Sequence, residues 1–173
     1  AASASGQVSI YSDEMIEPTK EIFYETNGEK YFYSAKSFFQ GNPFLIDRLI
    51  ELATKNASGK TALDLYCGVG LFTLPLAENF EKVIGIEANR DAIDFAEKSA
   101  AAARISNAEF HAESVDEVLN ENEFGKADFI LLDPPRSGAE KQTIENIIKI
   151  NPAEISYVSC EPSVLARDLR MLI

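Results

Sequence analysis

The stretch Thr61-Ala62-Leu63-Asp64-Leu65-Tyr66-Cys67-Gly68-Val69-Gly70-Leu71-Phe72-Thr73 decides the fold. Residues 61–66 form an apolar run that is too short for a helix, so we predict a buried strand. Gly68 and Gly70 then turn the chain, and residues from about 71 to 79 can form a helix. A buried strand, a glycine-rich turn and a helix are the first half of a nucleotide-binding unit. Glycines let the backbone approach a ligand closely, and the following helix offers its N-terminal amides.

An acidic residue at the end of the next apolar run favours a ligand that contains adenosine. Glu87 follows Val83-Ile84-Gly85-Ile86, which places a carboxylate where a ribose would lie. Thr73 stands where a dinucleotide fingerprint has its third glycine, so S-adenosylmethionine is favoured over NAD. The simpler alternative is a tight turn of the kind found in any α/β protein.

The rest of the chain alternates between apolar runs and helical patterns. The further predicted strands are 82–87, about 108–112, 127–133 and 155–159. Asn89 is predicted to cap one of the intervening helices, and Asn151-Pro152 to end another. Five strands separated by helices predict an α/β fold with a doubly wound, mostly parallel, Rossmann-like sheet that binds ligands at the carboxyl ends of its strands.

The N-terminal part differs from this pattern. Asn27-Gly28 lies between two aromatic-rich runs, which indicates a β-hairpin. We therefore predict a small β appendage over residues 1–40 and a second unit over residues 41–173. In the second unit, Asn42 is predicted to cap a helix that has Pro43 in its first turn.

Composition limits the class of protein. The 173 residues carry a formal net charge of -12, which argues against a nucleic-acid binder because phosphate contacts need Lys and Arg. Cys67 and Cys160 are far apart in sequence, which suggests a reducing compartment more than a disulfide framework. Neither a signal peptide nor a membrane-spanning run is apparent. We expect a cytoplasmic monomer that holds no metal.

Reactive and polar groups collect where the predicted strands end. Asp133-Pro134-Pro135-Arg136 follows the fourth strand, and Cys160 follows the fifth. In a parallel sheet these ends share one rim, so we expect Asp133 and Cys160 near the glycine loop. Two consecutive prolines give a rigid loop that can hold a planar base, or simply a stiff turn. Taken alone, Cys160 is a small buried side chain or, at the helix N-terminus expected at Pro162, a thiolate nucleophile; Cys67 is interpreted as packing.

Four segments together resemble the RNA uracil-5 methyltransferases, which make 5-methyluridine in transfer or ribosomal RNA. They are Phe38-Phe39-Gln40, the 63–70 segment, Leu132-Asp133-Pro134-Pro135-Arg136-Ser137-Gly138, and Tyr157-Val158-Ser159-Cys160-Glu161-Pro162 with Leu165-Ala166-Arg167-Asp168-Leu169. The resemblance extends from about residue 34 to the last residue. It implies a class I methyltransferase fold, and Cys160 as a nucleophile that forms a covalent adduct with the uracil ring.

The resemblance also implies a set of binding residues. The residues that it adds as S-adenosylmethionine ligands are Gln40, Tyr66, Leu71, Glu87, Glu113 and Asp133. They join Gly68 and Gly70 of the glycine loop, which the strand-turn-helix pattern already predicts. Those expected to hold the base of the RNA substrate are Pro134, Pro135 and Arg136. Some members have Asn at the position of Leu71, so a side-chain hydrogen bond is absent there.

The sequence departs from the family pattern at its ends. The family's general base is a Glu in a His-x-Glu segment beyond the last helix, and the chain stops at Ile173 before it. The N-terminal RNA-binding domain and the iron–sulfur site of one branch are also absent. We therefore expect a fragment that does not turn over on its own. A base N-methyltransferase, or a non-catalytic module that binds S-adenosylmethionine, remains an alternative.

Overall fold

The computed structural model describes residues 2–4, 7–12, 20–121 and 124–173. The strands are β1 (Ala2–Ala4), β2 (Gln7–Ser9), β3 (Ile22–Thr26), β4 (Glu29–Tyr33), β5 (Gly59–Leu65), β6 (Phe80–Ile86), β7 (Ala108–His111), β8 (Phe129–Leu132) and β9 (Glu154–Tyr157). The helices are α1 (Ile46–Ala53), α2 (Thr73–Ala77), α3 (Arg90–Ala102), α4 (Val115–Glu121), α5 (Lys141–Ile150) and α6 (Pro162–Leu172).

A five-stranded parallel sheet with the order β7-β6-β5-β8-β9 forms the centre of the fold. Successive residues of a strand face opposite sides, and the central strands β5, β6 and β8 carry runs of consecutive buried residues, so they are covered on both faces. Ala62 and Val83 pack on one side with residues of α1 and α2, while Leu63 and Ile84 pack on the other with residues of α4 and α5. The predicted α/β, doubly wound, parallel sheet is therefore confirmed.

The pairing register brings four strand ends to one rim. Leu65 is paired with Ile86 on one side and with Leu132 on the other, and Leu132 is paired with Tyr157. The ladder continues past β8, where the amide of Asp133 donates to the carbonyl of Leu65 at 3.3 Å. The segments that leave β5, β6, β8 and β9 are consequently neighbours at the carboxyl edge of the sheet.

The predicted hairpin is confirmed. β3 and β4 are antiparallel and are joined by Asn27 (φ 52°) and Gly28 (φ 83°), two left-handed residues that suit a two-residue turn. The hairpin packs on the rest of the chain, because the amide of Phe32 donates to Oγ of Ser99 on α3 at 3.0 Å. Residues 1, 5–6 and 13–19 of the predicted appendage lie outside the described residues, and the boundary between residues 1–40 and 41–173 stays a prediction.

The start of the first helix was predicted wrongly. Oδ1 of Asn42 accepts from the amide of Phe44 at 3.1 Å, and the Asn42 carbonyl accepts from Leu45, which makes a separate turn. α1 begins only at Ile46, with no side-chain cap. In contrast, Asn89 caps α3 as predicted by accepting from the amide of Asp91.

No helix in the described ranges combines the length and the apolar content that a bilayer span requires.

Candidate cofactor and nucleophile site

The glycine loop between β5 and α2 has an open side. The amide of Cys67 donates to the carbonyl of Ile86 at 3.0 Å, and the amide of Gly70 donates to the carbonyl of Cys67 at 2.9 Å. These bonds hold the loop against β6. Gly68 has φ +55°, and a Cβ added there would meet no atom within 4 Å. The loop therefore presents bare backbone to free space, as a close-fitting ligand requires.

A buried carboxylate lies beneath this loop. Asp64 is fully buried in β5, and its Oδ2 accepts from Oγ1 of Thr73, the first residue of α2, at 2.5 Å. Burial raises the pKa of Asp64 to about 7 despite that hydrogen bond, with the charges of Asp133 and Glu87 adding to the effect. Oδ1 of Asp64 is a buried polar atom with no hydrogen-bond partner among the described residues. An unpaired buried acceptor of this kind fits a cationic or donating ligand.

Two predicted cofactor residues from distant parts of the chain are in contact. Nε2 of Gln40 donates to Oδ2 of Asp133 at 3.1 Å. Burial raises the pKa of Asp133 to about 6, and the hydrogen bond from Gln40 opposes this rise. Asp133 thus lies at the rim next to the glycine loop, as predicted from the parallel sheet.

Glu87 and Glu113 follow two adjacent strands of the sheet but have different surroundings. The Glu87 carboxylate is half-buried, and its Oε1 accepts from the amide of Asn89 at 2.8 Å. Glu113 is exposed and lies 3.7 Å from Nδ1 of His111. It lines a cavity of about 320 Å³ beside β6 and β7, together with Lys82, Ile84, Glu109, His111, Val118, Glu121 and Phe124.

The side chains of Tyr66 and Leu71 pack against the apolar clusters on the two faces of the sheet. Tyr66 has φ +64°, unusual for a residue with a side chain, and its ring packs in the apolar cluster of α4 and α5. Burial raises the pKa of Tyr66, and the charges of Asp116 and Glu140 add to this rise. Leu71 is 6% exposed and packs in the core, so its side chain offers little surface to a ligand.

The two segments predicted to hold substrate and nucleophile lie against each other. Pro135 and Arg136 are exposed, and the loop is closed by the amide of Gly138 donating to the carbonyl of Pro135 at 2.8 Å. Cys160 is exposed and free. Its neighbour Glu161 caps α6 through Ser163; these hydrogen bonds lower the pKa of Glu161, with a further contribution from the charge of Arg136. The contacts between the two segments come from α6, where Arg167 donates to the carbonyl of Ser137 and Asp168 accepts from the amide of Ala139.

Cys67 has the environment expected of a packing residue. It is 4% exposed, and its thiol lies beneath Gly85, where an added Cβ would come within 3.0 Å of the sulfur. Burial raises the pKa of the Cys67 thiol well above its ordinary value, and the charges of Asp64 and Glu87 add to this. The thiol form of Cys67 is thus favoured.

Sequence reasoning missed two features of the site. The first is the hydrogen bond between Asp64 and Thr73. The sequence signal that could have indicated it is an acidic residue inside an otherwise apolar strand. The second is Asp168, a fully buried acid on α6 that accepts from Tyr157 and from the loop after β8. Its apolar neighbours along the helix give no hint of these partners, which come from outside α6.

Within residues 2–4, 7–12, 20–121 and 124–173, no three His, Cys, Asp or Glu side chains are grouped so that they could hold a metal ion. The groups at the rim instead suit an organic cation. Glu87 and Asp133 follow the two strands that flank β5 and its glycine loop, and Asp64 is buried in β5, where its Oδ1 lacks a partner among the described residues. S-adenosylmethionine, with its sulfonium, ammonium and ribose hydroxyls, fits this set of acceptors.

The sheet and the loop at its rim define a class I methyltransferase fold. Residues 3–173 match the family described as tRNA (Uracil-5-)-methyltransferase, and the chain belongs to this family. The structure is similar to that of the tRNA (uracil-54, C5)-methyltransferase of Pyrococcus abyssi in complex with S-adenosyl-L-homocysteine. The TM-score is 0.81 at 30% identity, over 94% of this chain and 42% of that one.

Two relatives found by sequence are similar over most of this chain. An uncharacterized RNA methyltransferase of Caldanaerobacter subterraneus subsp. tengcongensis is 38% identical over 94% of this chain. A 23S rRNA (uracil(1939)-C(5))-methyltransferase of Aliivibrio fischeri is 35% identical over 89% of it. The chain spans only 38% and 36% of the lengths of these two relatives.

Proposed function

We propose that the protein transfers a methyl group from S-adenosylmethionine to carbon 5 of a uridine in tRNA or rRNA, through a covalent adduct with Cys160. One observation carries the proposal: the register of Leu65, Leu132 and Tyr157 brings the glycine loop, the Asp133-Pro134-Pro135 loop and the Cys160 segment to the same rim. Membership of the uracil-5 methyltransferase family supports it.

The cofactor would lie over the glycine loop. When bound, it supplies an electrophilic methyl group on a positively charged sulfur. Glu87 would accept from the ribose hydroxyls with the oxygen that Asn89 leaves free, and Asp64 would offer its unpartnered Oδ1 to a donor. Gln40, Asp133 and the backbone at Gly68 and Gly70 would complete the contacts. Tyr66, Leu71 and Glu113 also remain predicted cofactor contacts. The side chains of Tyr66 and Leu71 pack in apolar clusters, and Glu113 lies beside His111.

Cys160 would make carbon 5 nucleophilic. Carbon 5 of uracil is too poor a nucleophile to take a methyl group unaided. The thiolate adds to carbon 6, and the electrons of the 5,6 double bond move to oxygen 4 as an enolate. Carbon 5 would then attack the methyl group, whose bond to the sulfonium breaks, so that S-adenosylhomocysteine leaves as a neutral thioether. Loss of the carbon 5 proton to a base returns the electrons, restores the double bond and expels the thiolate.

The last step needs a base that removes the carbon 5 proton, so the protein that is assayed has to contain this base. Among the acids near Cys160, Glu161 accepts from Ser163 as a helix cap, and Asp133 accepts from Gln40. The family resemblance assigns the step to a Glu in a His-x-Glu segment beyond the last helix. The assay therefore uses the product of the complete reading frame.

The RNA substrate would place its target base against the proline loop. A uridine has to be splayed out of its RNA fold to reach a buried methyl donor. Pro134 and Pro135 give a rigid wall, and the exposed Arg136 can contact a phosphate or a base edge. Because the net charge of the chain is -12, we propose that most of the RNA affinity comes from outside these 173 residues.

The remaining proposals concern the state of the protein in the cell. Both cysteines are free, which suits a cytoplasmic enzyme whose nucleophile has to stay reduced. We propose that the enzyme acts as a monomer.

Methylation of defined RNAs tests the function. The relatives name two substrates worth comparing: a tRNA that carries uridine 54 and a 23S rRNA fragment that carries uridine 1939. Methyl groups from labelled S-adenosylmethionine should appear in 5-methyluridine of one of these RNAs. Methylation of a base nitrogen, or cofactor binding without transfer to any RNA, would reject the proposal.

A further inference from the structure

A buried acid on α6 is unexplained by the proposed chemistry. Asp168 is fully buried, although α6 is otherwise mostly exposed. Burying a carboxylate is unfavourable unless it is hydrogen-bonded and paired. Oδ2 accepts from the hydroxyl of Tyr157 at 2.5 Å and from the amide of Ala139 at 3.1 Å, and Oδ1 accepts from Nε of Arg167 at 2.7 Å. Burial acts to raise the pKa of Asp168, but these hydrogen bonds outweigh it and hold the pKa below its usual range.

The partners of Asp168 come from three different segments. Tyr157 is the last residue of β9, Ala139 belongs to the loop after β8, and Arg167 is on α6. Nη2 of Arg167 extends the network by donating to the carbonyl of Ser137 at 2.9 Å. We call this group, formed by Tyr157, Arg167, Asp168 and the backbone of Ser137–Ala139, the Asp168 clamp.

The clamp leaves no space between the loop and the helix. Gly138 has φ +87°, and a Cβ added there would overlap Arg167 and Val164 and would come within 2.5 Å of Oδ2 of Asp168. Only glycine can therefore occupy this position without pushing the loop away from α6.

The clamp joins the segment that contains Cys160 to the loop that contains Pro134 and Pro135, the two parts of the proposed reaction centre. Cys160 lies between Tyr157 and Asp168 in the sequence, so the chain is fixed on both sides of it. Pro134 and Pro135 precede the clamped residues of the loop, with Arg136 in between. Among the described residues, the hydrogen bonds of the clamp join β9, α6 and the loop after β8, whereas the glycine loop and Glu87 follow β5 and β6. The distance from the thiol to the proline wall thus depends on the clamp. Asp133, at the start of the same loop, is also held from outside the clamp, by the carbonyl of Leu65 and by Gln40.

We propose that Asp168 is a positioning residue that sets the separation between the Cys160 thiol and the Pro134-Pro135 wall. The inference rests on the proposed function. Nucleophilic attack depends steeply on the placement of the reacting atoms, and an error of about 1 Å can cost roughly a hundredfold in rate. Loss of the clamp should therefore slow attack on the base and leave cofactor affinity unchanged.

The test uses RNA in which the target uridine is 5-fluorouridine, which traps the covalent adduct because carbon 5 has no proton to lose. The product of the complete reading frame is compared with its Asp168→Asn, Tyr157→Phe and Gly138→Ala variants. Asp168→Asn removes the charge that Arg167 needs, Tyr157→Phe removes one donor, and Gly138→Ala moves the loop without removing a hydrogen-bonding group. Asp94→Asn, in an exposed ion pair with Arg90, is the control.

The expected results separate rate from binding. At saturating RNA, adduct formation should be about 10- to 100-fold slower in Asp168→Asn and Gly138→Ala, and severalfold slower in Tyr157→Phe. The dissociation constant for S-adenosylhomocysteine and the RNA concentration for half-saturation should stay within about twofold of wild type. If Asp168→Asn does not fold, the other two variants carry the test.

Two outcomes would overturn the inference. The first is that Gly138→Ala and Tyr157→Phe form the adduct as fast as the wild type, which would show that the clamp does not position the thiol. The second is that adduct formation slows only in variants that also bind the cofactor more weakly, which would assign the effect to cofactor binding. These results leave the proposed function intact. Absence of an adduct in the wild-type protein would reject the proposed function, and this inference with it.

Discussion

Gln40 donates from Nε2 to Oδ2 of Asp133 at 3.1 Å and so joins residues that are 93 positions apart. On the other side of the rim, Nδ2 of Asn89 donates to the carbonyl of Lys36 at 3.3 Å. The segment that contains Lys36 and Gln40 is thus fastened to the ends of both β6 and β8, with β5 and its glycine loop between them. Gln40 thus contacts a predicted site residue although it precedes the predicted methyltransferase unit of residues 41–173.

Replacing Glu87 with Ala should weaken cofactor binding. The free oxygen of this half-buried carboxylate is the proposed acceptor for the ribose, and a hydrogen bond to a charged group contributes about 1.5–3 kcal/mol. Calorimetric titration with S-adenosylhomocysteine should therefore show a loss of about this size.

Glu81→Ala is the matched control for Glu87. Glu81 is exposed on the same strand, near its opposite end, so its removal should leave the affinity unchanged. Equal affinity in wild type and Glu87→Ala would remove the assignment of Glu87 to the cofactor.

The stability of the ligand-free protein should fall between about pH 4 and pH 7 because of Asp64. Burial raises the pKa of Asp64 to about 7 in the folded protein, whereas an unfolded Asp titrates near 3.8. Over this range the folded state binds more protons than the unfolded state, so rising pH favours unfolding. Asp133, with its pKa raised to about 6, acts in the same direction.

Asp64→Asn should reduce this pH dependence. The amide oxygen can still accept from Thr73, but no charge has to be buried. Urea unfolding at pH 8 should show the variant to be more stable than wild type, by roughly 4 kcal/mol at most, while Asp94→Asn should behave like wild type. The account would be contradicted if the free energy of unfolding of the wild-type protein rose from pH 4 to pH 7 and if Asp64→Asn showed the same pH dependence.

The order of strands and helices was predictable because its signals are local. The hairpin depends on Asn27 and Gly28, which tolerate left-handed backbone angles, and α5 ends at Asn151 with φ 51°. Alternating apolar runs and helical patterns then sufficed to predict the parallel sheet. The meeting of Asp133 with the glycine loop followed from the same topology.

Features that depend on distant partners could not be predicted from local patterns. The fourth strand was expected to begin at residue 127, but it begins at Phe129. Oδ2 of Asp128 instead accepts from the amides of Lys60 and Thr61 at 2.8 and 3.1 Å. The Asp168 clamp was missed for the same reason, since its partners lie 11 and 29 residues away.

Ser99→Ala should destabilise the protein through the hairpin. Oγ of Ser99 is buried, accepts from the amide of Phe32 and donates to the carbonyl of Phe95. Removing the hydroxyl leaves the Phe32 amide without this partner, which costs about 1–3 kcal/mol. Urea unfolding should show a loss of this size, whereas the exposed Ser58→Ala should change stability by less than about 0.5 kcal/mol. A similar small change in Ser99→Ala would mean that the hairpin is not held by this bond.

The central claim is that Cys160, and not Cys67, attacks the uracil ring. The most direct measurement is denaturing electrophoresis of the complete protein after incubation with S-adenosylmethionine and 5-fluorouridine RNA, for wild type, Cys160→Ala and Cys67→Ala. Cys160 is exposed and follows β9, the strand paired with the one that leads into the proline loop, while Cys67 is buried beneath Gly85. We predict that Cys160→Ala forms no adduct and keeps its cofactor affinity, and that Cys67→Ala still forms the adduct with altered stability or cofactor affinity. An adduct that persists in Cys160→Ala and is lost in Cys67→Ala would contradict the claim.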